Sequence, residues 1–332
     1  MQILRPTRLD EFIGQKRVVE ELSIYLNSVK QRNDVFPHTL FIGAPGLGKT
    51  TLSRIIAFEL RRELKQTSGP VLDKPGIIAS LLTSLRDGDI LFIDEVHRIP
   101  KICQEILYTA MEDFALDIVI GKGSTSKTVR LSLPKFTLIG ATNKPALCLP
   151  PLLDRFQLVF KLDFYSEEEL ASLIEQAGKR LSLTFEPSAS RLLAKAGKGV
   201  PRQALNLLRR FYEYLNGTNH RRSQASKKLI TVDRVKDFLM LLDIDEWGLT
   251  PDDRRYLFTL YYHFNGGPAG LESLALTSQI SPSELETIFE PPLIRLGLIS
   301  RTRRGRIITE LGRRYIEEKG LSFLRKKSHV PF

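Results

Sequence analysis

Cysteine is nearly absent. Cys103 and Cys148 are the only two in 332 residues, too few for a disulfide framework or a cysteine zinc site. Long hydrophobic runs are missing too, since no apolar stretch approaches the roughly 18 residues of a membrane helix. The opening MQILRPTRLDEF lacks the basic segment followed by a long apolar one that marks a signal peptide. These absences predict a cytoplasmic protein that stays off the membrane. There is no internal repeat and no low-complexity segment, which excludes a solenoid. Acidic residues are in deficit, 38 against 49 Lys and Arg, for a net charge of +11. The excess is gathered at one end: from residue 291 onward 11 Lys and Arg face 3 Glu, which leaves +3 for the first 290 residues. Such asymmetry suits a polyanion-binding end or a solubilising tail.

What is present is ordinary in bulk and specific in pattern. The chain is long enough for two or three domains. From 38 to 164, short apolar runs alternate with helical stretches. HTLFI (38–42), DILFID (89–94), FTLIGA (136–141) and QLVFKLDF (157–164) read as buried strands, with Leu64–Ser68 a weaker fifth. Runs of this length and composition suit a parallel sheet buried on both faces. DIVIGKG (117–123) and KTVRLSL (127–133) break the alternation and read as a hairpin joined by Ser124–Thr125–Ser126. After Tyr165 the pattern is helical, with a capping box expected at Ser166 and Glu169 and a polar insert at 216–228. From about 250, three helical stretches precede GLIS and RIIT, two short strands around RTRRGR (301–306). Helices followed by such a hairpin predict a winged helix whose arginines point off the fold toward phosphates.

GAPGLGKT (43–50) fits the pattern G-x-x-x-x-G-K-[ST] between a strand and a helix. Gly43, Gly46 and Gly48 let the backbone curl so that its N–H groups face a polyphosphate. Lys49 adds a charge at the outer phosphates, and Thr50 offers a hydroxyl to Mg²⁺. LFIDEVH (91–97) ends a strand in two carboxylates. Asp94 is the candidate Mg²⁺ ligand, and Glu95 the candidate base beside the attacking water. Asn143, after FTLIGAT, either holds that water and senses the γ-phosphate or is a simple turn residue. Arg155 and Arg202 either stabilise charge on a transferring phosphoryl group or form surface ion pairs.

In this order the motifs resemble an AAA+ ATPase. LRPTRLDEFIGQ, GLGKTTL, TSGP, LFIDEVHR, AMEDFALDIVIGKG, PKFTLIGAT, LLDRF, GVPR, GGPAGLESLA and RTRRGR further resemble the RuvB family, over a span from about Leu4 to Tyr315. The resemblance implies an α/β P-loop AAA+ core with a five-stranded parallel sheet (1–164), a small all-helical lid domain (165–243) and a C-terminal winged-helix domain (244–332). It implies an ATP-dependent hexameric motor on duplex DNA that drives Holliday junction branch migration with a RuvA-like partner. Leu4, Arg5, Ile13 and Gly14 match the adenine side of the nucleotide site. Gly46, Gly48, Lys49, Thr50 and Thr51 match the phosphate and Mg²⁺ contacts. Glu112, Asp113, Phe114 and Tyr165 fall at further nucleotide contacts, and Asn143 at the first sensor. Arg155 matches a finger given in trans and Arg202 the second sensor. The 117–133 hairpin matches the partner-docking element, and Arg301 and Arg306 match the DNA contacts of the wing. Departures from the family pattern include Ala44 in the phosphate loop, ATNKP in place of an ATTR-type string, the STS hairpin tip, and Pro291–Pro292. Another AAA+ DNA machine of the clamp-loader kind would share the phosphate loop, acidic strand and sensor, but it predicts neither arginine wing nor hairpin. A nucleotide-gated DNA-binding module without hydrolysis would not need Lys49, Asp94, Glu95 and Arg155 intact.

Overall fold

The computed structural model describes residues 5–32, 34–120, 127–218 and 228–327. Leu4, the hairpin tip Ser124–Thr125–Ser126 and the 219–227 part of the polar insert therefore lie outside the described residues. The chain forms two compact units. One is built on residues up to Glu169 with Val200–Arg202, the other on Leu170–Gly199 and residues from Gln203 onward.

The first unit is organised by β1 (Thr39–Ile42), β2 (Leu64–Ser68), β3 (Ile90–Asp94), β6 (Thr137–Thr142) and β7 (Leu158–Lys161), all parallel, in the order β2-β3-β6-β1-β7. The five expected strands are thus all present. β3 and β6 are buried along their lengths, as apolar runs covered on both faces must be. Helices α1 (Lys16–Arg32), α2 (Lys49–Leu60), α3 (Pro75–Thr83), α4 (Lys101–Asp113) and α5 (Pro150–Asp154) complete the unit. Ile78, Leu82, Cys103, Leu107 and Leu152 from the last three meet Leu91, Ile93 and Leu138 of the sheet in one core. The 51–64 stretch stops being helical at Leu60 because Arg61 turns left-handed, which frees Leu64 to start β2.

His38 fixes the lower edge of the sheet. Its Nδ1 accepts from the Leu138 amide at 2.8 Å and its Nε2 donates to the Met111 carbonyl at 3.2 Å. That pattern requires the neutral ring, and burial pushes its pKa down to about 4. From this edge β4 (Ala115–Ile120) and β5 (Lys127–Ser132) pair antiparallel as the expected hairpin. Val129 and Leu131 on β5 are exposed.

The second unit begins along α6 (Glu167–Arg180), whose start carries the expected capping box: Glu169 and Ser166 exchange bonds at 2.9 and 3.1 Å. α7 (Pro187–Ala196), α8 (Pro201–Thr218) and α9 (Val232–Leu241) follow. Ala204, Leu208, Phe211 and Leu215 form one buried stripe along α8 at helical spacing. The all-helical expectation needs one correction. Leu183–Phe185 forms β8, which pairs in parallel with β9 (Lys228–Ile230). Each is three residues long, and the partners lie 45 positions apart by register, so no local pattern announces them. α10 (Pro251–Phe258), α11 (Leu271–Ser278), α12 (Pro282–Glu284), α13 (Glu290–Arg295), the hairpin β10 (Ile299–Thr302) and β11 (Gly305–Ile308), and α14 (Glu310–Lys327) make the winged helix. Within this unit the buried Lys198–Asp253 pair ties the segment after α7 to the start of α10, where Asp253 also closes a capping box with Thr250.

Candidate functional site

The parallel register aligns the strand ends. Ile42 lies beside Thr142 and Lys161, and Ser68 beside Asp94, so the exits of the strands form one upper edge. The phosphate loop leaves β1 there. Gly46 and Gly48 sit at φ +87° and +110°, a region open to glycine. A Cβ on Gly46 would lie 2.8 Å from Val200 and 2.9 Å from Arg202, while one on Gly48 would lie 2.9 Å from Phe12. The Arg202 amide donates to the Gly46 carbonyl at 3.3 Å. A Cβ on Gly14 would lie 2.3 Å from the Tyr165 ring, whose hydroxyl donates to the Leu47 carbonyl at 3.4 Å. Gly14, Tyr165 and Arg202, predicted from distant parts of the chain, thus gather around the loop, and Ile13 comes with Gly14. Arg5 joins them: burial, with Arg54 and Arg202 nearby, lowers its pKa.

Lys49, the first residue of α2, is buried and donates to the carbonyls of Gly43 and Ala44 at 2.8 and 2.9 Å. Burial pushes its pKa down to about 8, against an opposing pull from Asp94. The ammonium is therefore still charged at neutral pH. Thr50 and Asp94 line one cavity of about 470 Å³ with Gln66, Thr67, Ser68, Val71 and Phe92. Thr51 is half-buried on the same first turn. Asp94 accepts from the Glu95 amide at 2.9 Å, and Glu95, at φ +52°, pairs with Arg98 at 3.1 Å. Asn143 follows Thr142 at the exit of β6. The Thr142 hydroxyl accepts from the Lys144 amide at 3.0 Å and lies 2.9 Å from His97 Nδ1, so a side-chain bond joins the exit of β3 to that of β6.

Four predicted residues do not join this edge. Arg155 lies before β7, whose first residue is level with the first residue of β1. It pairs with Glu112 at 2.5 Å, and its buried Nε has no hydrogen-bond partner among the described residues. Asp113 pairs with Arg130, and Phe114 packs on His38 and Phe136 at the lower edge. Strands of this length separate the two edges by roughly 13 to 20 Å. Arg155, Glu112, Asp113 and Phe114 are therefore grouped away from the phosphate loop of their own chain.

The wing corrects a second expectation. Arg301 and Arg306 both pair with the fully buried Glu290: Arg306 turns inward, while Arg301 reaches the same carboxylate from an exposed position. Arg303 and Arg304, which form the exposed turn between β10 and β11, carry the outward charge. The Gly305 requirement is also tighter than a turn: at φ +138°, a Cβ there would lie 2.3 Å from the Ala269 carbonyl. Sequence reasoning missed Arg54, which donates to the cavity-lining Gln66 at 3.0 Å. The available signal was spacing, since Arg54 lies four residues beyond Thr50 on the same helix face. It also missed Phe12, the His97–Thr142 bond and Glu290.

The residues fit a nucleoside triphosphate with Mg²⁺. The loop follows a strand and opens a helix, its glycine positions admit no side chain, and the hydroxyl and carboxylate of Thr50 and Asp94 are hard oxygen donors facing one cavity. This fold and site define a nucleotide-binding P-loop ATPase of the AAA+ class. Residues 4–162 match the family described as the Holliday junction DNA helicase RuvB P-loop domain. Residues 165–245 match the RuvB AAA lid domain, and residues 246–317 the RuvB C-terminal winged helix domain. The chain belongs to the RuvB family. It is 43% identical over 320 residues to the Holliday junction branch migration complex subunit RuvB of Chloroflexus aurantiacus, covering 96% of this chain and 89% of that one; the Chloroflexus aggregans protein gives the same values. Among solved structures, the Thermotoga maritima RuvB Holliday junction branch migration motor matches with a TM-score of 0.83 and 40% identity, covering 95% of this chain and 99% of that one.

Proposed function

We propose that this chain is the ATP-driven motor of Holliday junction branch migration, assembling as a homohexamer on duplex DNA in the cytoplasm and working with a RuvA-like junction-binding partner. The observation that carries the reading is the separation of phosphate loop and finger arginine to opposite edges of one sheet, in a chain that matches RuvB along its length. A ring supplies what one chain lacks, because the Arg155 edge of one copy meets the phosphate-loop edge of the next. Glu112, Asp113 and Phe114 belong to that donated edge. The domain boundaries follow the same reading: ATPase core 1–164, lid 165–243, winged helix 244–332.

The chemistry divides among named groups. Backbone amides of Gly46 and Gly48 and the N-terminus of α2 bind the phosphates, with Lys49 and Thr51 beside them. Arg5, Ile13, Gly14 and Tyr165 line the base side. Thr50 and Asp94 would hold Mg²⁺, which when bound would neutralise charge at the phosphate oxygens. Glu95 orients the attacking water and takes up its proton, and Asn143 steadies that water from the neighbouring strand. Arg202 in the same chain and Arg155 from the adjacent one stabilise the charge that develops on the transferred phosphoryl group. The exposed apolar side of the β4–β5 hairpin, with Val129 and Leu131, is the docking surface for the RuvA-like partner. The wing holds duplex DNA.

Branch migration of a labelled synthetic four-way junction tests the whole reading. Strand exchange should require ATP and increase with the RuvA-like partner. ATP turnover that neither responds to DNA nor moves the junction would remove the motor assignment and leave only a nucleotide-binding protein.

A further inference from the structure

Arg301 and Arg306 are direct cross-strand partners on the wing hairpin. Two like charges in that position repel. A fully buried carboxylate alone is far more unfavourable still. The fold resolves both problems with one contact. Glu290 Oε2 accepts from Arg301 Nε at 2.6 Å, and Glu290 Oε1 accepts from Arg306 Nε at 2.9 Å. Arg306 Nη2 reaches Oε2 at 3.4 Å, and the Tyr256 hydroxyl donates to Oε1 at 3.4 Å.

The backbone adds a second tether. Residues 285–289 form a π turn, with the Glu290 amide bonded back to the Leu285 carbonyl. The next such bond would run from residue 291 to the Glu286 carbonyl, but Pro291 has no N–H. Arg301 Nη2 donates to that carbonyl instead, at 3.2 Å. On the other strand of the hairpin, Ala269 and Arg306 exchange backbone bonds of 2.8 and 2.9 Å. The hairpin is thus anchored through Arg301 and Arg306, while among the described residues no ion pair or hydrogen bond holds the guanidinium of Arg303 or Arg304 at its turn.

We propose that Glu290 is a positioning residue for DNA binding: its buried carboxylate clasps Arg301 and Arg306 side by side and so holds the turn with Arg303 and Arg304 presented to the phosphate backbone. This rests on the reading of the protein as a duplex DNA motor. Neither tip arginine is accompanied by an aromatic or amide side chain within RTRRGR, so the contact is with phosphates and blind to sequence.

The test is binding of the full-length protein to two unrelated duplexes over a salt series, each variant measured well below its own melting transition. Arg301→Lys conserves charge at an exposed position but loses the guanidinium fork that spans Glu290 and the Glu286 carbonyl. It should bind both duplexes more weakly and lower the salt slope by about one, and Glu290→Gln should do the same. Arg303→Ala with Arg304→Ala should lower the slope by about two while melting as wild type. If Glu290→Gln does not fold, Arg301→Lys decides. Wild-type slope in Arg301→Lys, tighter binding in Glu290→Gln, or an unchanged slope in the tip variant would each overturn the proposal. A wild-type protein that fails to bind duplex at all would instead sink the motor reading on which it rests.

Discussion

Glu95 sits where an L-residue is rarely found, at φ +52° immediately after β3. Left-handed backbone at a non-glycine residue costs about 1 kcal/mol, and it persists where the surroundings enforce it. Here the Asp94 carboxylate takes the Glu95 amide and Arg98 takes its side chain. The turn aims two adjacent carboxylates in different directions, Asp94 into the cavity with Thr50 and Glu95 onto Arg98. Glu95→Gln should therefore leave nucleotide binding near wild type, because Lys49, Thr50 and Asp94 are untouched. It should slow hydrolysis by about 10² to 10⁴, the usual worth of a positioned base. Equilibrium binding of a labelled nucleotide beside a steady-state phosphate-release assay checks both halves, and turnover near wild type would take Glu95 out of the reaction. The residues around the phosphates were legible because glycine, lysine and paired carboxylates have few alternative uses at that spacing. The pairing of Arg301 and Arg306 with Glu290 was not legible. Their partner Glu290 lies 11 and 16 positions away, in a segment with no motif of its own, and a charge run reads the same whether it faces water or a buried carboxylate.

At the scale of elements, one imidazole and one guanidinium each join several pieces of structure. His38 links β1, β6 and α4 as a neutral ring, with its pKa pushed down to about 4 by burial. The unfolded chain takes this proton near pH 6.5, so between the two values unfolding binds a proton and acid favours the unfolded state. The contribution is intact above about pH 6.5 and is lost progressively down to about pH 4, for roughly 3 kcal/mol in all. Denaturant midpoints of wild type and His38→Gln, compared from pH 7.5 to 4, should converge as pH falls; parallel curves would show that His38 does not titrate on unfolding. Arg306, 15% exposed, sits on Glu290 and in the bridge to Ala269. Arg306→Ala should destabilise the winged helix by about 2 to 3 kcal/mol, the worth of a charge-assisted bond to a buried group. That loss should lower the melting transition in the absence of DNA, and an unchanged melt would mean Glu290 is held by Arg301 alone. Elements were legible where apolar runs are bounded by turn residues, as in four of the five strands of the main sheet, β2 (LKQTS) being the weaker signal. The β8–β9 pair was not, because its three-residue strands are joined by tertiary packing of Phe185, Phe211 and Phe238 rather than by local pattern.

For the whole molecule the proposed function turns on two groups of candidate residues at opposite edges of one sheet. The upper edge of the sheet has the phosphate loop, Thr50, Asp94 and Glu95. The lower edge has Arg155, held by Glu112, with a buried Nε that no described residue partners. The ion pair keeps the guanidinium ordered at an edge about one strand length from the nearest phosphate-binding group of its own chain. If copies join edge to edge in a ring, each interface needs one intact edge of each kind. Arg155→Ala should then bind nucleotide as wild type does but hydrolyse it poorly, since an arginine finger is worth roughly 10³ to 10⁵ in rate. Lys49→Ala should fail at the phosphates instead. Mixing the two variants creates some interfaces with an intact loop from one copy and an intact finger from the next, so turnover should recover partly, with a maximum near equal proportions. The measurement is ATP turnover across a titration of one variant into the other, with subunit exchange followed by labelled protein in the same samples. Recovery requires the finger to act between chains. A flat, inactive titration in samples where exchange is seen would mean that Arg155 serves its own chain or none, and the ring reading would lose its chemical basis.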